Sequence, residues 1–209
     1  MKTLSPIVLA LLLAGCASGP SPAQLDKIAT DVIRGSFREQ GIAKLDRLQQ
    51  DLGQSACSSD QPPPEAVARQ IEAQALASVK PPSDGRYLGD WKAGETLAQS
   101  GRGATWTDAP GSPNGGNCYN CHQISKAELS YGTIGPSLVQ YGKLRGVADP
   151  ASAQAQPIVQ YTWAKLWNSK AFSACSGMPR FGHAGLLTEA QLRDLMALLL
   201  DPTSPVNAQ

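Results

Sequence analysis

Aromatic residues are scarce, at 6% of 209 residues. A core must therefore come from aliphatic side chains or from some other large apolar group. Charged residues are also few (17%) and sum to a net charge of +1. Near-neutrality leaves no electrostatic footprint for nucleic acid, so nucleic-acid binding is not expected. Low charge combined with 42% hydrophobic residues argues against a disordered chain. Histidine occurs only twice, at His122 and His183, so any histidine-based metal chemistry has two candidates. No stretch beyond the N-terminus is long and apolar enough to cross a bilayer. No segment reads as a strand, and no internal repeat is visible. The expected fold class is all-α, in one domain with a sizeable extension.

The first fifteen residues read as an export signal rather than as part of the fold. Lys2 is followed by an apolar run from Ile7 to Leu13, too short to span a membrane. Leu13-Ala14-Gly15-Cys16 has the form of a bacterial lipobox, which makes Cys16 the acylated first residue of the mature chain. Ordinary cleavage nearby would leave a soluble protein instead. Either route exports the chain, to the periplasm, with membrane attachment through a lipid if Cys16 is acylated.

Five cysteines are present: Cys16, Cys57, Cys118, Cys121 and Cys175. Cys118-Tyr119-Asn120-Cys121-His122 has the C-x-x-C-H form of a covalent haem attachment sequence. Two thiols at this spacing can add across the haem vinyl groups while the adjacent histidine meets the iron. A zinc reading lacks a second ligand pair at suitable spacing. A thioredoxin-like reading lacks the strand that should precede the motif. Cys57 and Cys175 remain, and in an oxidising compartment two leftover thiols tend to pair. The other readings are two separate thiols, or Cys175 as a thiolate ligand to iron.

The second axial position has few candidates. Met196 falls on the apolar face of a helix, where a core role is the default. Met178 falls in Ser176-Gly177-Met178-Pro179-Arg180, a loop stiffened by proline. Met178 is the favoured iron ligand and His183 its rival. A Met/His pair raises the potential of the iron relative to two histidines. Gly135-Pro136 is placed to accept a hydrogen bond from His122 through a backbone carbonyl. Arg180 is a candidate partner for a haem propionate, and equally for solvent. Trp163 and Trp167 read as core.

Periodicity divides the rest. Ser21 and Pro22 start a helical region over 23–52, interrupted near Gly35 and Gly41. It carries one apolar stripe at Leu25, Ile28, Ala29, Val32 and Ile33 and another at Ile42, Leu45, Leu48 and Leu52. Pro62-Pro63-Pro64 punctuates the chain before a helix from about Glu65 to Val79. Asp90 caps a helix to about Ser100, Tyr161 to Ser169 reads as a short helix, and Thr188 with Gln191 forms a capping box for the last helix. The expected divisions are a lipoprotein-type signal over 1–15, a helical extension over 16–85, and a haem domain over 86–209.

Four stretches together resemble the SoxX family, the mono-haem subunit of the SoxAX cytochromes of bacterial sulfur oxidation. They are Ser36-Phe37 with Gly41-Ile42-Ala43-Lys44-Leu45-Asp46-Arg47-Leu48; Gly116-Asn117 with the haem motif; Gly132-Thr133-Ile134-Gly135-Pro136-Ser137-Leu138; and Cys175-Ser176-Gly177-Met178-Pro179-Arg180-Phe181-Gly182. The resemblance covers about residues 30–200. It implies a cytochrome c-like haem domain with an N-terminal helical extension, carrying one covalent haem c. Cys118 and Cys121 would hold the porphyrin, and His122 and Met178 the iron. It further implies a heterodimer with a SoxA-like haem subunit. That complex acts as an L-cysteine S-thiosulfotransferase, oxidatively coupling thiosulfate to a cysteine of the SoxYZ carrier. The two electrons released pass to a small cytochrome c. The reaction itself is expected on SoxA, so no catalytic residue is assigned to this chain. The alternative is a stand-alone membrane-tethered electron carrier to a respiratory oxidase. A haem-based sensor would need an open iron position.

Overall fold

The computed structural model describes residues 19–208. The signal sequence and Cys16 lie outside the described residues. The described chain is helical, with seven α-helices and no strand longer than an isolated bridge. Its described residues divide into two compact units, 19–40 and 41–208.

In the first unit, α1 (Pro22–Ser36) begins where the sequence signals placed it. Ser21 and Gln24 form a reciprocal capping box and proline occupies the first turn. The helix ends at Phe37, which returns to an extended conformation. Every residue of α1 is exposed, the apolar stripe of Leu25, Ile28, Val32 and Ile33 included.

The second unit departs from the expected 23–52 helix. Residues 45–48 form a single 3-10 turn, and a new short helix α2 (Leu52–Cys57) follows, capped by Asp51 with Gln54. The helical spacing of Ile42, Leu45 and Leu48 is therefore not a helix face. Helix α3 (Glu65–Ala77) starts directly after the proline run, with Pro64 at its cap. Helix α4 (Trp91–Gln99) is capped by the Asp90 carboxylate. After α5 (Tyr141–Leu144) comes α6 (Gln156–Trp167), which starts well before Tyr161 because Pro157 sits in its first turn. Helix α7 (Glu189–Leu200) carries the Thr188–Gln191 capping box.

The core gathers on α7, whose Leu192, Met196, Leu198 and Leu200 are almost completely buried. Met196 is thus a packing residue. Against it lie Val159 and Trp163 of α6, Ala98 of α4, and Phe181. Burying side chains of this size contributes about 1.5–3 kcal/mol each. Trp163 satisfies its indole N–H by donating to the Lys80 carbonyl at 2.7 Å and meets Tyr87 edge-on. Helices α4 and α7 touch backbone to backbone: a β-carbon on Gly94 would lie 2.1 Å from the Asp194 carbonyl oxygen. Glycine is required at that contact. The Asp194 carboxylate in turn accepts from the Asp90 N–H at 2.8 Å, docking the start of α4 on the middle of α7. The C-terminal tail closes the base, where the buried Asn207 amide bonds Gly142, Leu199 and Asp201.

Candidate functional site

The Cys118–His122 motif is held against the C-terminal end of α4. The Gly116 N–H donates to the Leu97 carbonyl at 2.9 Å, and the Asn117 N–H to Ser100 at 2.9 Å. Asn117 takes the left-handed conformation (φ 51°) and turns the chain into a 3-10 turn over Cys118–Asn120. The His122 N–H then closes on the Cys118 carbonyl at 2.9 Å, which puts both thiols and the imidazole on one tight turn.

A second segment is laced along that turn. The N–H groups of Gly132, Gly135 and Leu138 donate to the carbonyls of Tyr119, Cys121 and Gln123, at 2.8, 2.8 and 2.7 Å. This brings the Pro136 carbonyl to 2.7 Å from Nδ1 of His122. A carbonyl can only accept, so Nδ1 carries the proton and donates, and Nε2 keeps its lone pair for an electrophile such as iron. Gly135 makes the approach possible: a β-carbon there would lie 2.1 Å from Cε1 of His122 and 2.5 Å from Nδ1.

The Cys118 and Cys121 thiols are not bonded to each other. Burial pushes the Cys118 thiol up to about 12, whereas a redox dithiol needs a lowered value. Among the described residues, no group of three or more His, Cys, Asp or Glu side chains is arranged to hold a bare metal ion.

Cys57 and Cys175 are joined by a disulfide that links α2 to the segment leading to Met178. Met178 is half-buried and packs on the same hydrophobic core that Cys118 borders. Its carbonyl accepts from Ser169 Oγ at 2.6 Å. His183 is exposed, and its backbone N–H is bonded to the Trp167 carbonyl at 3.0 Å. Arg180 donates from Nη1 to Asp51 Oδ2 at 2.6 Å.

No protein-family model matches the chain. It is 35% identical over 214 residues to an uncharacterized lipoprotein of Aquifex aeolicus (strain VF5), an alignment covering 99% of this chain and 98% of that one. The chain belongs to the family of that lipoprotein. Because the alignment runs almost end to end, the relationship takes in the segment around Cys16 as well as the helical unit.

The residues present fit a covalent haem. The two thiols are unbridged, the imidazole has one nitrogen not engaged by Pro136, and Cys118 borders the apolar core. Trp167 supplies a further sign: its Nε1 is buried with no hydrogen-bond partner in the chain. Buried indole N–H groups ordinarily find an acceptor, and a propionate oxygen is one that a haem would bring.

Sequence reasoning missed two elements near Met178. One is α2, whose Asp51-x-x-Gln54 pattern was a legible capping signal obscured by the competing long-helix reading. The other is the 3-10 turn Ser169–Ala171, which has no periodicity to betray it.

Proposed function

We propose that this chain is an exported mono-haem c-type cytochrome, serving as the electron-transfer subunit of a SoxAX-type thiosulfate-coupling complex. The observation that carries the haem assignment is the 2.7 Å bond from His122 Nδ1 to the Pro136 carbonyl, beside two unbridged thiols. That arrangement aims one imidazole nitrogen outward with its tautomer fixed, as an axial histidine requires. The SoxX assignment rests on the four-stretch resemblance, with Met178 following a cysteine that is occupied in a disulfide and so is not itself a ligand.

Haem, when bound, supplies a one-electron iron(III)/iron(II) couple. The chain's own residues do the rest. Cys118 and Cys121 would hold the porphyrin as thioethers, and His122 is oriented by Pro136 and confined by Gly135. Met178 would offer a thioether to the iron, a ligand that favours the reduced state and raises the potential. Leu129 and Ile134 stand exposed beside the motif, and apolar side chains presented in this way suit docking to a partner protein. The thiosulfate coupling itself would take place on the partner chain, and no substrate-binding residue is assigned here.

The lipoprotein relative supports attachment to the membrane through an acylated Cys16, which also suits a stand-alone carrier. Native purification from membrane and periplasm, with intact mass measurement of each co-eluting chain, separates these. A second chain bearing a c-type haem, together with one haem on this chain, supports the SoxAX reading. A lone mono-haem chain moves the assignment to the carrier, and a chain without haem removes both.

A further inference from the structure

The two ends of the six-residue helix α2 grip both flanks of Met178. At its last residue, Cys57 is bonded to Cys175, upstream of Met178. At its N-cap, Asp51 Oδ2 accepts from Arg180 Nη1 at 2.6 Å, downstream of Met178. Asp51 is not free to follow a moving loop. Its other oxygen accepts from the Gln54 N–H at 2.7 Å, and its own N–H donates to Gln54 Oε1 at 2.9 Å. The Arg180 side chain is 21% exposed and that of Asp51 43%, so the arginine is the better-packed partner of a pair that borders solvent.

The segment between these points is tied down further. The Ala174 N–H donates to Glu72 Oε1 at 3.1 Å, its carbonyl accepts from Lys170 Nζ at 2.8 Å, and the Met178 carbonyl accepts from Ser169 Oγ at 2.6 Å. These bonds restrain the backbone, and none of them uses the Met178 thioether. Ordering a loop beforehand removes the entropy that ligation would otherwise cost.

We propose that α2 is a positioning brace for the axial methionine: Asp51 with Arg180, and the Cys57–Cys175 bridge, hold Met178 where its sulfur bonds haem iron. This rests on the reading of Met178 as the sixth ligand. The brace strengthens the Met178–iron bond by preorganisation in both oxidation states, and oxidised iron, where thioether binding is weaker, depends on it most to keep Met178 bound. Loosening it therefore lets Met178 leave oxidised iron while reduced iron still holds it, which lowers the potential by up to about 59 mV for each tenfold loss of Met178 affinity. Asp51→Asn is the decisive variant because it leaves the charge of Arg180 in place. If Arg180 acted on the haem by charge alone, freeing it would raise the potential or leave it unchanged.

The test uses the purified full-length haem protein. Asp51→Asn, Arg180→Ala, Arg180→Lys and the double change Cys57→Ser with Cys175→Ser are compared by reduction potential. The same variants are compared by the far-red band of the methionine–iron(III) bond and by imidazole binding to the oxidised haem. Asp51→Asn and Arg180→Ala are expected to bind imidazole about tenfold more tightly, to weaken the band and to lower the potential. Arg180→Lys should recover part of each change. Haem-loaded Asp51→Asn and Arg180→Ala with the parent's potential, band and imidazole affinity would overturn the brace. Met178→Ala is the control for the underlying assignment: an unaltered band and potential there would remove Met178 as ligand, and the brace with it.

Discussion

Gly135 lies against the His122 imidazole with no space for a methyl group between them: a β-carbon would sit 2.1 Å from Cε1. The loop and the ring form one unit, because Gly135 also donates its N–H to Cys121 and is followed by the carbonyl that holds Nδ1. Gly135→Ala cannot be absorbed by a rotamer change, since the imidazole is fixed on one side by Pro136. The variant is expected to accumulate much less haem-loaded protein than the parent. What it does load should have a perturbed axial histidine. Haem-to-protein ratio by alkaline pyridine spectra, alongside the position of the Soret band, checks this; a normal ratio and spectrum would contradict it.

His122→Ala removes the axial nitrogen and leaves the Pro136 carbonyl without its donor. With only 6% aromatic residues in the chain, an attached haem would supply a large share of the apolar volume near the motif. The expected outcome is little folded haem protein, measured as covalently bound haem per chain after export. Recovery of the variant at parental haem content and thermal midpoint would show that the motif is not the haem site.

How much of this was legible in advance follows from how local each signal is. The capping of α7 by Thr188 and Gln191 and that of α4 by Asp90 are read over three or four residues, and both stand in the structure. The placement of Pro136 against His122 was readable because a Gly-Pro pair offers a close approach and a carbonyl with no competing N–H. The expected helix over 23–52 was not sustained. Leu45 and Leu48 have helical spacing but lie in a lone 3-10 turn, between Gly41 in the left-handed conformation and the new cap at Asp51. Propensity could not weigh these interruptions against tertiary packing. The Asp51–Arg180 pair joins residues 129 positions apart, and no local pattern encodes such a contact.

The disulfide closes a loop with a sequence separation of 118 residues. In the chain-entropy view, a loop of that length restricts the unfolded ensemble enough to stabilise the fold by about 3–5 kcal/mol. The double change of Cys57 and Cys175 to serine is expected to lower the urea midpoint by a corresponding amount, with the slope of the transition little changed. An unchanged midpoint would mean that the unfolded chain is already confined without the bridge.

Acid should unfasten the joint between the 81–85 turn and α7. The N–H and guanidinium of Arg86 hold the Asp84 carboxyl down at about 2, with Arg193 of α7 adding to the effect. Glu189 is likewise lowered, by the Ser83 hydroxyl and N–H and by Arg193. A carboxylate whose folded value lies below its unfolded value of 3.8 contributes stability that is complete above that value. The contribution fades as pH falls from about 4 toward 2, as protons bind first in the unfolded chain. Both carboxylates are solvent-accessible, so salt should diminish the contribution as well. Urea midpoints measured from pH 6 down to pH 2 should therefore fall less steeply for Asp84→Asn than for the parent, with the two curves converging at the acid end. Parallel curves across that range would show that Asp84 carries no pH-dependent stability and that the turn is held on α7 by packing alone.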